Sequence, residues 1–268
     1  QVTLPTHGGR YLHWDKLRRI KPPEGLTHAE WWAGLKFRRA PLLKPVPLKD
    51  ENGRSFFFGL PDPAPENLHH IDQGAGGRLE LPELITNAQT RDRYIINSLM
   101  EEAIRSSQLE GAVTTRKIAK EMIRRLRSPR NKSERMILNN FRTMQRIQAL
   151  KNERLTPELV FELHRIVTDQ TLRDPSGAGR FRRADDPVHI ADDYGEVYHV
   201  PPPAQQLDAR LAAMCAFANA ETPSAFVHPV VRSIILHFWL AYDHPFQDGN
   251  GRCARALFYW SMLRHGYW

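Results

Sequence analysis

The chain has 268 residues, of which 41% are hydrophobic, so it can form one large domain or two small ones around a packed core. No apolar run reaches the length of a membrane span and the first residues do not resemble a signal peptide, so we expect no membrane association. The net charge of +8 allows an acidic partner, and two cysteines, Cys215 and Cys253, are too few for a disulfide framework, so we expect a cytoplasmic protein.

Residues 1–89 differ in composition from the rest, because they are rich in proline and aromatic side chains. The Asn52-Gly53 pair lies between two short apolar runs, which predicts a small hairpin that pairs residues 43–49 with 55–60. We interpret this segment as an N-terminal extension whose tryptophans are packed in its interior.

From residue 90 onward the pattern becomes helical, and the first helix is expected at about residues 91–111. Its apolar stripe consists of Tyr94, Ile95, Leu99, Met100, Ala103 and Ile104. Ser106 and Glu110 are four positions apart and therefore share a face, and Gly111 is a natural end. Taken alone, these residues describe a helix end with a surface carboxylate.

Three more helices are predicted at about residues 133–149, from Thr156-Pro157 onward, and at 205–218. Apolar alternation around a polar turn predicts a β-hairpin at about residues 188–200. The basic residues are densest between Lys117 and Arg135, which we interpret as a solvated face, with DNA contact as the alternative.

The last two predicted helices flank a short loop, residues 244–252. Pro245 stops the first helix, and Gly249, Asn250 and Gly251 lie at the N-terminus of the second. Unpaired backbone N–H groups and the helix dipole make such a terminus an anion site, and glycine lets a phosphate approach closely.

Four other side chains in and after the loop suit phosphate chemistry. Arg252 and Arg255 are three positions apart, so their guanidinium groups can hold successive phosphates. Asp248 is a hard oxygen ligand suited to Mg²⁺, and His244 can accept a proton near neutral pH. Each residue alone has an ordinary structural explanation, but all of them within twelve positions indicate a nucleotide phosphate-transfer site.

At these positions the sequence resembles the Fic family, whose signature is His-Pro-Phe-x-Asp/Glu-Gly-Asn-Gly-Arg with a second Arg after two further residues. The resemblance covers roughly residues 90–268. It implies a mainly α-helical bundle with a β-hairpin flap, and transfer of AMP from ATP to a Ser, Thr or Tyr hydroxyl of a target protein.

The resemblance also implies roles for individual residues. His244 would be the general base, Asp248 would bind Mg²⁺, Gly249, Asn250 and Gly251 would hold the α- and β-phosphates, Arg252 would contact the β-phosphate and Arg255 the γ-phosphate. Phe246 would anchor the loop in the core.

Two further motifs resemble parts of the same family. Ser106 to Gly111 is similar to its inhibitory helix, which implies that Glu110 pairs with Arg255 and crowds the γ-phosphate site. The hairpin is similar to its flap, with Val188, His189 and Ile190 as the edge that would dock an extended target segment. Self-modification and a homodimer are compatible with this reading.

Two alternatives remain at this level. The same site could remove AMP, or transfer another group such as UMP or phosphocholine, because the loop recognises phosphates and hardly the base. A protein of another class, a nucleic-acid-binding regulator, would depend on the basic surface and not on the loop.

Overall fold

A computed structural model describes residues 2–75, 88–186, 188–191 and 194–267 of the chain. Two compact units are present, Gln1–Gly77 and Arg78–Trp268, whereas composition placed the boundary at residue 89. The side chains of Tyr94 and Ile95, which belong to the predicted stripe, lie outside the described part of this helix.

The first unit contains helices α1 (Trp14–Leu17), α2 (His28–Arg39) and α3 (Ala64–Ala75). Strands β1 (Lys44–Lys49) and β2 (Ser55–Phe58) pair antiparallel, which is the hairpin expected around Asn52-Gly53. Asp50 stabilises the turn by accepting hydrogen bonds from the backbone N–H groups of Asn52 and Arg54. Trp31 is buried with Leu12, Leu17 and Leu35, so this tryptophan packs in the core.

The second unit is built from seven described helices. They are α4 (Ala88–Leu109), α5 (Arg116–Arg124), α6 (Lys132–Ala149), α7 (Pro157–Thr168), α8 (Leu207–Ala218), α9 (Pro229–Asp243) and α10 (Asn250–Arg264). Asn131 and Thr156 cap α6 and α7, each by accepting a backbone N–H in the first turn. Helix α7 therefore begins where Thr156-Pro157 predicts, and α6 begins one residue before its predicted start at residue 133.

The centre of this unit is the pair α9 and α10, which pack along each other and against neighbouring helices. Leu236, Leu240, Leu257 and Trp260 are buried there. Helix α4 packs its apolar face, including Met100 and Ile104, on α6. No helix in the described parts of the chain is both long and apolar enough to cross a membrane.

A second two-stranded sheet lies between α7 and α8 in the sequence. Strands β3 (Ile190–Ala191) and β4 (Val197–His199) pair antiparallel, with Ile190 opposite His199. The predicted turn residues Asp192 and Asp193 lie outside the described residues. The hairpin is anchored by His199, whose Nε2 lies 2.7 Å from the carbonyl oxygen of Tyr242 in α9.

Candidate active site

The loop between α9 and α10 begins and ends with a residue in the left-handed region. His244 has a φ of 43° and ends α9 by donating its backbone N–H to the Leu240 oxygen at 2.9 Å. Gly249 has a φ of 84° and precedes the first residue of α10. Because a side chain is strained in this region, the glycine suits the abrupt start of the helix.

Asn250 locks the loop from inside. Its Oδ1 accepts the backbone N–H of Phe246 at 3.0 Å, and its Nδ2 donates to the Phe246 oxygen at 2.7 Å. The side chain is thus used to fix the loop, which leaves the backbone N–H of Asn250 as the group able to meet an anion.

Phe246 is fully buried, as a core anchor should be. Its ring stacks on the imidazole of His164 in α7, with ring centroids 3.8 Å apart and an angle of 11° between the planes. The loop is therefore held to α7 by a hydrophobic contact directly beneath it.

His164 also fixes the loop by hydrogen bonds. Its Nδ1 accepts the backbone N–H of Gly179 at 2.8 Å, so the proton lies on Nε2, which donates to the Asp248 oxygen at 2.9 Å. Burial lowers the pKa of His164 to about 4, which keeps the ring neutral. Nothing in the local sequence connects His164 to Asp248, which lies 84 positions further along the chain.

Arg182 is a further residue whose contacts the sequence does not reveal. Its backbone N–H donates to the Pro245 oxygen and its Nε to the His244 oxygen, both at 2.9 Å. The same guanidinium donates to the carbonyl oxygen of Pro202, which follows the flap. A buried arginine thus joins the start of the loop to the base of the flap.

A buried carboxylate holds the end of α9. Asp243 accepts hydrogen bonds from Arg210 Nε at 2.8 Å and from Trp239 Nε1 at 3.1 Å. Burial raises the pKa of Asp243, and the Arg210 guanidinium opposes that rise. The residue before the candidate base is therefore tied to α8 through Arg210.

His244 itself is half-buried at the site. Its Nδ1 lies 3.4 Å from the carbonyl oxygen of Ala241, a contact that places the proton on Nδ1 and leaves the lone pair on Nε2. Burial lowers the pKa of His244, and the nearby Arg182 acts in the same direction. A neutral imidazole at neutral pH is the form able to accept a proton.

Asp248 lies at the exposed side of the loop, with its side chain 51% exposed. Its Oδ1 accepts the backbone N–H of Gly249 at 2.5 Å and lies 3.4 Å from Nη2 of Arg252. The carboxylate is thus held beside the N-terminus of α10 while it still faces solvent.

Arg252 and Arg255 of α10 are placed differently from each other. Arg252 is 1% exposed, and its Nη1 donates to the Val167 oxygen at 2.9 Å beneath the loop. Arg252 and Arg255, which their spacing places on one helix face, thus differ in exposure. The reason is that Arg252 points into the packed contact with α7, where it supports the loop and Asp248.

Arg255 contacts the end of α4. Its Nε donates to Ser106 Oγ at 2.6 Å, and its Nη2 donates to the Ser106 oxygen at 3.0 Å and to Glu110 Oε1 at 2.7 Å. The Glu110 carboxylate lies so close to Gly251 that a Cβ on the glycine would overlap it. Glu110 therefore covers the start of α10, where the sequence places the anion site.

The flap residues Val188, His189 and Ile190 lie at the start of the second sheet. His189 and Ile190 are exposed, and Val188 is half-buried. Their backbone is the part of the flap strand that an extended segment could contact, and their docking role stays a prediction.

These features define a class of protein: a mainly helical domain with a candidate phosphate-binding loop between two central antiparallel helices. Residues 154–262 match the Fic/DOC family. The protein adenylyltransferase Fic of Nematostella vectensis is 33% identical over 117 residues, 44% of this chain and 25% of that protein. The protein of the same name from Culex quinquefasciatus is 34% identical over 117 residues, 44% of this chain and 21% of that protein. The chain thus spans about a quarter of the length of these curated relatives.

Solved structures share the fold. A Fic domain containing signaling protein from Bacteroides thetaiotaomicron superposes with a TM-score of 0.61 at 21% identity, over 75% of this chain and 73% of that one. A Fic family protein from Desulfovibrio desulfuricans superposes with a TM-score of 0.56 at 23% identity, over 75% of this chain and 57% of that one. The predicted mainly α fold of the family is confirmed.

Proposed function

We propose that the protein transfers AMP from ATP to a hydroxyl group of a protein. The observation that carries this proposal is the placement of His244 and Arg255 on either side of the glycine-rich start of α10. An anion site flanked by a base and a cation is what nucleotidyl transfer requires. Relatives named protein adenylyltransferase Fic support the choice of AMP.

The reaction follows from the ordinary chemistry of these groups. Nε2 of His244 takes the proton of a Ser, Thr or Tyr hydroxyl as its oxygen attacks the α-phosphorus of ATP. The bond to the bridging oxygen breaks, and pyrophosphate leaves with the electron pair. Backbone N–H groups of Asn250 and Gly251 stabilise the negative charge of the phosphates, whereas the Gly249 N–H is held by Asp248 and the glycine itself allows the close approach.

Asp248 fits a Mg²⁺ ion that accompanies the nucleotide. Mg²⁺ retains several waters and is commonly held by one or two carboxylates together with phosphate oxygens, and Asp248 offers one half-exposed carboxylate beside the anion site. When bound, the ion would offset the charge of the phosphates. Asp248 itself is oriented by the Gly249 N–H and by Arg252, which is the role we propose for that buried arginine.

Glu110 would restrain this activity within the same chain. Its carboxylate already accepts a hydrogen bond from Arg255, the group that we propose for the γ-phosphate. ATP would have to displace the carboxylate or bind in a pose unfit for attack. Ser106 reinforces this arrangement because it accepts a second hydrogen bond from the same guanidinium.

The flap would place the target. An extended segment that pairs with the backbone near Val188, His189 and Ile190 would be recognised by main-chain hydrogen bonds, with little dependence on its side chains. The bond between His199 and the Tyr242 oxygen ties the flap to α9, two residues before the base.

The test uses ATP labelled on either the α- or the γ-phosphate, with Mg²⁺, in wild type and Glu110→Gly. We expect protein labelling from the α-labelled nucleotide only, and about tenfold more of it in the variant. Label from the γ-position would contradict AMP transfer. Equal labelling in both proteins would contradict restraint by Glu110.

The same assay separates the related chemistries. Other labelled donors, UTP among them, test the choice of nucleotide, since the loop contacts phosphates and not the base. Label that is first gained and then lost from protein in wild type, but kept in Glu110→Gly, would indicate that Glu110 supports AMP removal. Labelling of the enzyme itself reports self-modification.

A basic cavity favours a second candidate function, the binding of a nucleic-acid backbone. A depression of about 360 Å³ lies at the N-terminus of α6 and is lined by Arg130, Lys132, Arg135 and Arg173 among others. Of these four, Arg135 alone has an ion pair within the described parts of the chain, at 3.9 Å to Asp169. Multiple unpaired cations around one depression suit phosphodiesters.

Charge reversal with a matched control tests this candidate. Arg130→Glu with Lys132→Glu should weaken salt-dependent binding of a labelled oligonucleotide about tenfold or more. Arg19→Glu with Lys21→Glu changes the net charge equally on exposed residues of the first unit. Equal loss in both proteins, or no binding by wild type, would contradict the candidate.

A further inference from the structure

Helices α4 and α10 approach each other at three regularly spaced pairs of residues. The contacting pairs are Glu110 with Gly251, Ser106 with Arg255, and Glu102 with Tyr259. Along each helix the partners are four residues apart, so they follow one face of α4 and one face of α10 in antiparallel order. The first two pairs lie at the candidate site, whereas the third lies two turns away from Gly251.

The third contact is short and charge-assisted. Tyr259 Oη donates to Glu102 Oε2 at 2.6 Å. Burial raises the pKa of Tyr259, and the hydrogen bond to Glu102 raises it further, so the phenol stays a donor at neutral pH. Neither residue belongs to the motifs that the sequence analysis identified.

The last turn of α4 has little other support on the side of α10. The apolar face of α4 packs on α6, where Ser107 also donates to the Met136 oxygen at 3.3 Å. Leu109 is 75% exposed and Val113 is 86% exposed, on either side of Glu110. The position of Glu110 against α10 therefore depends on polar contacts.

We propose that Tyr259 and Glu102 are positioning residues that hold α4 in the register at which Glu110 covers Arg255. The inference rests on the proposed function, because it names what sets the restraint on that site. The Tyr259–Glu102 bond stabilises the covered state, and its loss allows the end of α4 to move away from α10. Neither side chain needs to touch the nucleotide for this effect.

The first test measures transfer from α-labelled ATP by Tyr259→Phe and Glu102→Gln. Each substitution should raise labelling about three- to tenfold over wild type, by the loss of one hydrogen bond to a charged group. Neither substitution should raise labelling further when it is combined with Glu110→Gly, because that variant already lacks the restraint. An equal rise in the Glu110→Gly background would overturn the proposal.

A matched control is Glu162→Gln. Glu162 accepts a hydrogen bond of 2.6 Å from Arg146 between α6 and α7, so the change removes a comparable interhelical charge without touching α4 or α10. This variant should label at the wild-type level. A rise equal to that of Glu102→Gln would show a general loosening of the bundle and would overturn the specific role.

The second test does not depend on activity. Hydrogen exchange of the backbone amides of residues 102–111 should be at least about threefold faster in Tyr259→Phe than in wild type, with α7 unchanged. Unchanged exchange in that segment would overturn the proposal even if transfer were observed. If Glu110→Gly labelled no protein, the proposed function would be contradicted. The exchange rates alone would then test whether Tyr259 and Glu102 hold α4 in place.

Discussion

Glu110 Oε1 accepts a hydrogen bond of 2.7 Å from Arg255 Nη2, across 145 positions of the chain. The pair neutralises a cation one turn from the start of α10, at the place where phosphate charge would need it. The same carboxylate lies against Gly251. Anion binding and this ion pair thus compete for one small region.

Removal of the carboxylate should strengthen nucleotide binding. We expect Glu110→Gly to lower the Kd of ATP about tenfold, because Arg255 becomes available to the phosphates. Isothermal titration calorimetry measures the change, and Glu162→Gln serves as a control distant from the site. An unchanged Kd would show that Glu110 does not compete with the nucleotide.

The start of α10 should depend on Gly249 for two separable reasons. Its φ of 84° strains any side chain, and a Cβ there would lie 2.7 Å from Cγ2 of Thr168. Gly195 has the same φ, but no atom of the described residues lies within 4 Å of a Cβ built there. Gly195→Ala should therefore cost about 1–2 kcal/mol of unfolding free energy for strain alone, and Gly249→Ala about 1–3 kcal/mol more. Urea unfolding measures both, and equal losses would contradict the close contact with Thr168.

His164 should make the stability of the fold depend on pH. Its pKa is about 4 in the folded chain, below the usual value near 6.5, so the native state favours the neutral ring. Its contribution is fully present above pH 6.5 and is lost as pH falls toward 4, by about 3 kcal/mol in all. His164→Gln should flatten this part of the curve of unfolding free energy against pH. Parallel curves for variant and wild type would contradict a buried neutral His164.

Local sequence patterns were sufficient for most helices of the second unit and for the glycine-rich start of α10, but they did not predict α1, α2 and α3 of the first unit. Thr156-Pro157 marks the beginning of α7, and Asn52-Gly53 marks the first hairpin, because caps and turns depend on neighbouring residues. The Glu110–Arg255 contact came from resemblance to a family and not from spacing, since nothing local connects positions 145 apart.

Contacts made by tertiary packing could not be predicted in this way. His164 and Arg182 hold the loop through backbone oxygens, which carry no sequence signal. Helical spacing placed Arg252 beside Arg255 but could not show that α7 packs over one side of α10 and buries the first guanidinium. Residues three positions apart point in different directions around the helix axis, and this difference is enough to bury Arg252 while Arg255 reaches α4.

The pH profile of transfer should reflect a base with a lowered pKa. Burial lowers the pKa of His244 below its usual value near 6.5, so the ring is neutral throughout the neutral range. In the Glu110→Gly form, the decline of kcat/KM toward acid pH should therefore be centred below pH 6.5. A decline centred above pH 7 would contradict the buried, neutral base.

The most direct measurement of the central claim compares Glu110→Gly with Glu110→Gly/His244→Ala in labelling by α-labelled ATP. The account predicts strong labelling by the first protein and a loss of at least about a hundredfold in the second, with the Kd of ATP little changed. Undiminished labelling without the imidazole would contradict the assignment of His244 as the base.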